Sequence, residues 1–142
     1  MCDDILVPTD GSSGTAAVLD HALAIAEEGT TVHGLYVVDK RHIMAADEGS
    51  KAEVRRSMQE DGERALDDVT VTVEDAGLAV TARCDEGIPH RVAVEYAREA
   101  GVDIVVMGTH GRTGRQGVEA LGSTTERVVK NGSVPVLVVD ID

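Results

Sequence analysis

Hydrophobic and polar positions along this 142-residue chain fall into blocks, and the period inside each block predicts its element. The apolar run over 5–8 stops at Pro8-Thr9-Asp10-Gly11, which reads as a buried strand entering a turn. Leu19, Ala22, Leu23 and Ala26 then recur at i, i+3, i+4 and i+7, predicting a helix capped by Ser12 or Ser13 and closed at Gly29. A second strand is expected over 31–38, ended by Asp39-Lys40-Arg41. Residues 51–75 carry two periods at once. Val69-Thr70-Val71-Thr72-Val73 alternates as a strand would, whereas Val54, Met58, Ala65, Val69 and Val73 share one helical face. The Ala-, Glu- and Arg-rich sequence before it and the stop at Gly77 favour the helix. A third strand follows over 79–84. Pro89 then opens a helix with Ile88, Val92, Tyr96 and Ala100 on its buried face, stopped by Gly101. The fourth strand is expected over 103–107. Ser123-Thr124-Thr125-Glu126 has the form of a capping box and starts a helix to Asn131, before a last strand over 134–139.

Strands alternating with helices predict an α/β fold in three layers, a parallel sheet covered on both faces, as one domain over 1–142. In such sheets ligands bind beyond the carboxyl ends of the strands, where the strand order reverses. The loops that begin at Asp10 and Gly108 meet that rule.

Composition narrows the chemistry. Tyr36 and Tyr96 are the aromatic residues, with no Phe or Trp, so the core must come from Val, Leu, Ile and Ala, and aromatic base stacking is a poor hypothesis. Against 26 acidic residues stand 13 basic ones, 10 Arg and 3 Lys, a formal charge of −13. This suits a strongly hydrated acidic surface, as in a salt-loaded, halophilic cytoplasm, and argues against nucleic acid as partner, which needs a basic face. No apolar run approaches the ~20 residues of a membrane span, and Met1-Cys2-Asp3-Asp4 is not a secretory start, so a cytoplasmic protein is expected. Cys2 and Cys84 read as reduced thiols outside any metal spacing, and His21, His33 and His42 lack ligand spacing too.

Candidate chemistry concentrates between residues 108 and 124, where five of the fifteen glycines fall within 17 residues. Glycines let backbone N–H groups approach a ligand, and the Ser123-Thr124 pair can open a helix whose positive end favours an anion. From Ile104 to Val118 there is no Asp or Glu, while His110, Arg112 and Arg115 lie inside that window. Phosphate is the ligand this pattern suits; a flexible surface turn is the other reading of a Gly-Arg-Thr-Gly segment. Neither GxxxxGK[ST] nor GxGxxG is present, which sets aside P-loop and dinucleotide-fingerprint readings. Ser12, Ser13, His21, His90 and Asp39 lack the G-x-S-x-G elbow of a hydrolase.

Taken in order, these segments resemble the universal stress proteins, in particular their nucleotide-binding branch. The resemblance rests on Val7-Pro8-Thr9-Asp10, Val37-Val38-Asp39, Gly87-Ile88-Pro89-His90, the run from Val102 to Gly111, Gly122-Ser123, and Pro135-Val136-Leu137-Val138-Val139. It implies a five-stranded parallel sheet of order 3-2-1-4-5, the Rossmann-like fold of the adenine-nucleotide alpha-hydrolases. The family motif is Gly-x2-Gly-x9-Gly-(Ser/Thr). Gly108-x2-Gly111 matches its first half, but ten residues, not nine, separate Gly111 from Gly122.

The resemblance further implies that Pro8, Thr9, Asp10, Val37 and Met107 line the adenosine. Gly108, His110, Gly111, Gly122, Ser123 and Thr124 would hold ribose and phosphates, with the Arg112 charge beside them. ATP or AMP is the implied ligand. Asp10 would help a phosphate-bound Mg²⁺ or Mn²⁺, its alternative role being a turn residue that caps the next helix. The implied partner is a second copy, paired through the strand over 134–140; an edge blunted by Pro135, Asp140 and Asp142 is the alternative. The expected function is a nucleotide-dependent sensor or interaction module in the stress response. A slow metal-dependent ATPase or nucleotidyl-transfer enzyme, and a dimer that binds no nucleotide, are the alternatives.

Overall fold

The computed structural model describes residues 2–109 and 121–141. Its strands are β1 (Asp4–Thr9), β2 (Thr31–Asp39), β3 (Ala79–Gly87), β4 (Ile104–Gly108) and β5 (Val136–Val139). The helices are α1 (Thr15–Ile25), α2 (Lys40–Ala45), α3 (Lys51–Asp75), α4 (Pro89–Ala100) and α5 (Ser123–Asn131). All pairings are parallel and the sheet order is β3-β2-β1-β4-β5, as the resemblance implied. Among the described residues no helix is long and apolar enough to cross a membrane.

Side-chain alternation along β1 builds the two cores. Ile5, Leu6 and Val7 are all fully buried, yet Ile5 and Val7 pack with Val18, Leu19 and Ala22 of α1 and Val69 and Val73 of α3. Leu6 points the other way, toward Ala93, Tyr96 and Ala97 of α4 and Val128 of α5. A third cluster joins Tyr36 and Val38 of β2 to Ile43 of α2 and to Ala65 and Leu66 of α3. That last packing requires a glycine: a Cβ on Gly62 would stand 2.6 Å from Tyr36 Cδ1. The helical reading of 51–75 holds, because Val69 and Val73 sink their faces into the core while Val71 points to solvent.

Polar ties complete the α4 side. Buried His33 lies between two partners, its Nε2 2.9 Å from Asp4 Oδ1 and its Nδ1 2.7 Å from the Tyr96 hydroxyl. Arg83 stands over the Tyr96 ring, 5.6 Å from its centre, and is itself paired with Asp85.

Several local expectations are corrected. Gly14, not Ser12 or Ser13, occupies the cap position of α1, because the chain spends Asp10 to Ser12 on a turn of its own. The capping box of α5 does not form: Gly122 is the cap residue, its carbonyl accepting from Glu126 N at 2.9 Å, so Ser123 already sits inside the helix. The buried face of α4 is rotated to Ala93, Tyr96 and Ala97, leaving Ala100 exposed. β5 begins at Val136 instead of residue 134. Finally, α2 occupies a stretch read as a strand end.

Candidate functional site

β1 and β2 pair over six residues, but β1 and β4 only at Ile5–Ile104 and Leu6–Val105, after which the two strands part. α1 leaves on one face and α5 on the other, so the parting opens a crevice at the carboxyl end of the sheet. β2 also outruns β1. The last β1 partner is Tyr36, opposite Thr9, while Val37, Val38 and Asp39 remain paired with β3 alone. The β1-facing side of that segment is therefore open. The result is a cavity of about 680 Å³, well inside the ~300–1,000 Å³ usual for small-molecule sites.

Nine of the expected site residues meet there: Pro8, Thr9, Asp10, Val37, Met107, Gly108, Gly122, Ser123 and Thr124 all line it. His110, Gly111 and Arg112 lie outside the described residues. Apolar wall comes from Leu35, Val37, Met58, Ala93 and Met107, with Pro89 at the start of α4. Opposite it stands the start of α5, whose first-turn N–H groups have no acceptor within the helix and whose positive end faces the cavity.

Hydrogen bonds hold these walls in place. Thr125 Oγ1 donates to the Gly108 carbonyl at 2.8 Å, and Gly122 N donates to the Thr109 carbonyl at 2.7 Å, clamping the start of α5 to the end of β4. Ile141 N donates to Thr109 Oγ1 at 3.2 Å, bringing the chain after β5 to the same rim. At the end of β1, Asp10 Oδ1 accepts from Ser12 N at 2.9 Å and Thr9 Oγ1 accepts from Gly11 N at 3.1 Å. Gly11 takes φ +79°, a backbone state that other residues rarely adopt. Asp10 thus holds a turn but does not cap α1, whose cap is Gly14, and its residue lines the cavity.

The charge on the walls is largely neutralised. Asp39 accepts from Arg41 N at 3.0 Å and from its guanidinium at 2.9 Å and 2.7 Å; the side-chain bonds hold its carboxyl below the usual aspartate range. Glu126 is held by Lys130 at 2.9 Å, which likewise lowers its pKa. Among the described residues no group of three His, Cys, Asp or Glu gathers as a metal site.

Sequence reasoning did not place Thr15, Tyr36, Asp39, Arg41, Met58 or Ala93 at the cavity. The signal for Asp39 and Arg41 was present: an Asp followed two residues later by a backbone donor is a helix cap.

Residues 1–140 match the sequence model of the universal stress protein family. Universal stress protein MJ0531 of Methanocaldococcus jannaschii is 39% identical over 137 residues, 95% of this chain and 80% of that protein. Universal stress protein MJ0577 of the same organism is 34% identical over 158 aligned residues, covering 98% of this chain and 95% of its own. The solved structure of MJ0577 superposes with a TM-score of 0.92 at 35% identity, over 100% of this chain and 98% of that one. The fold also matches an AMP-bound universal stress family protein of Arabidopsis thaliana, at a TM-score of 0.71 and 16% identity over 98% and 92% of the two chains.

Proposed function

Because this chain belongs to the universal stress protein family, we propose that it is an adenine-nucleotide-binding member, a cytoplasmic sensor or interaction module whose state depends on bound ATP or AMP. The observation that carries the reading is that nine residues named by the family resemblance, from four stretches of the chain, line one cavity at the switch point of the sheet. The apolar wall around Val37 and Met107 suits a purine, and the open main-chain side of 37–39 offers hydrogen bonds to its edge. The start of α5, with Gly122, Ser123 and Thr124, suits phosphate, joined by His110, Gly111 and Arg112. The AMP held by the related Arabidopsis fold agrees with this choice of ligand. A Mg²⁺ or Mn²⁺ would take its ligands from phosphate oxygens, water and Asp10, since hard cations accept such partly hydrated shells. No side chain is assigned a catalytic role, and any ATP hydrolysis is slow.

The partner is a second copy. β3 and β5 are the two edges of the sheet, and β3 is guarded by the ion pairs Arg83–Asp85 and Arg55–Glu86. Among the described residues β5 has only β4 beside it, and its Val136, Leu137 and Val138 are half-buried, so strand pairing over 134–140 would cover them.

Release of adenine nucleotide on denaturing the purified protein, followed by calorimetric titration of ATP with Mg²⁺, tests the reading. No released nucleotide and no binding at millimolar ATP refute it. Tight binding with rapid turnover would replace the sensor by an ATPase.

A further inference from the structure

Two sides of the cavity come from elements that the sheet lets part. β1 and β4 pair at Ile5–Ile104 and Leu6–Val105 and separate beyond them. Asp10, Ser12 and Thr15, on the way from β1 into α1, line one side, while Gly108, Gly122 and Ser123, between β4 and α5, line the other. A ligand that must first bring two loose walls into place gives up affinity to do so, whereas walls already tied together spare that cost.

Ile141, two residues past the end of β5, reaches both sides and lines the cavity itself. Its main chain belongs to the β4 side. Its N–H donates to Thr109 Oγ1 at 3.2 Å, and Thr109 in turn donates its own N–H to the Val139 carbonyl at 2.9 Å and accepts from Gly122 N at 2.7 Å. The ends of β4 and β5 and the start of α5 are thus joined at one residue. Its side chain belongs to the α1 side. Half-buried, it packs against the core that holds Val18, Leu19 and Ala22 of α1, and it lies over Gly14, where that helix starts. A Cβ on Gly14 would stand 2.6 Å from Ile141 Cδ1 and 2.8 Å from its Cγ2. Gly14 has φ −68° and ψ −15°, a backbone state open to any residue, so it is Ile141 and not the turn that excludes a side chain there.

We infer that Ile141 is a positioning residue for the cavity, holding the Thr109 end of β4 and the start of α1 at a fixed separation before any ligand arrives. The inference rests on the nucleotide reading of the cavity and adds to it the tie that preorganises the site.

Calorimetric titration of ATP with Mg²⁺ tests it on the full chain, with far-UV circular dichroism to check that each variant is folded. Ile141→Ala should weaken ATP about tenfold, whereas Ile141→Val, which keeps a branched side chain over Gly14, should stay within about threefold of wild type. Gly14→Ala pushes Ile141 off its seat and should weaken ATP by a factor like that of Ile141→Ala. With Ile141→Ala already in place it should weaken ATP no further, because the space is then free. An affinity within about twofold of wild type in Ile141→Ala overturns the inference, even if the melting temperature falls, since the residue would then serve the fold alone. So does a loss in Ile141→Ala without one in Gly14→Ala, which would make Ile141 a direct contact of the nucleotide. An equal loss from Gly14→Ala in both backgrounds overturns it as well. Should Ile141→Ala not fold, Gly14→Ala decides on the same twofold limit. A wild type that binds neither ATP nor AMP refutes the nucleotide reading, and this inference with it.

Discussion

Tyr96→Phe removes one oxygen and keeps the ring under Arg83, so it isolates the bond to His33. Both residues are 8% exposed, and the His33 ring is held from its other side by Asp4. Without the hydroxyl, His33 Nδ1 faces the apolar side of α4, and an orphaned buried polar atom costs ~1–3 kcal/mol, more than the ~1 kcal/mol net worth of an average hydrogen bond. At ~2.1 cal/mol/K per residue, a chain of 142 residues unfolds with an entropy of about 0.3 kcal/mol/K, so the melting temperature should fall by about 3–10 °C. Thermal unfolding by circular dichroism at fixed salt measures it. In a His33→Leu background the same change should cost nothing or stabilise, because the Tyr96 hydroxyl is then the orphan. A drop below about 1 °C, or an equal drop in both backgrounds, would refute the reasoning.

Asp39→Asn should lower stability at pH 7 by less than about 1 kcal/mol, since Arg41 is half exposed. The Asp39 pKa is depressed in the fold, so its contribution is complete above the unfolded value of ~3.9 and is lost as pH falls below it. Denaturant titrations should show the gap closing between about pH 4 and pH 2, and a constant gap would contradict the assignment. Gly62→Ala gains ~1 kcal/mol of helix propensity but drives a Cβ to 2.6 Å from the Tyr36 ring, an overpacking worth ~1–3 kcal/mol. Net destabilisation is expected, and a variant more stable than wild type would show that Tyr36 moves freely. Val138 belongs to β5 but to none of the core clusters. Val138→Lys should raise the dimer dissociation constant about tenfold or more in sedimentation while leaving the fold intact, and an unchanged constant would rule out pairing through β5.

That the sheet is parallel was legible because strands and helices alternate along the chain, whereas its order, and the switch point with it, came from the resemblance to the family. Most of the stretches that meet at the cavity were legible as motifs because they sit at strand ends, where a change from apolar to Gly, Thr or Asp is abrupt, and Gly122-Ser123 because it opens α5. What was not legible depends on contacts between elements. The twist of α4 that buries Ala93 and Ala97 instead of Ala100 is set by Leu6 and Leu35 beneath it. No periodicity within the helix reports them. The caps at Gly14 and Gly122 were misassigned because serines nearby satisfy the same local rule, and only the path of the loop selects between them. α2 escaped notice for its length, six residues, with Ile43 its only buried side chain. It is held from outside, where Lys51 Nζ donates to the carbonyls of Met44 and Ala46 at 2.9 Å and 3.1 Å.

The central place of β1 has a bearing on synthesis. Its partners come from both halves of the chain: β2 follows within thirty residues or so, but β4 begins only at Ile104 and itself waits for β5 at Val136. During translation β1, β2 and β3 can assemble with α1 and α3, leaving one side of β1 bare and Leu6 without α5 above it. That exposed edge is sealed only when the last forty residues emerge, and they also carry the end of β4 and the start of α5 that wall the cavity. Closure of the sheet and of the cavity therefore arrive in the same late step, so a nascent chain that has not yet released β4 has neither a sealed β1 edge nor a walled cavity.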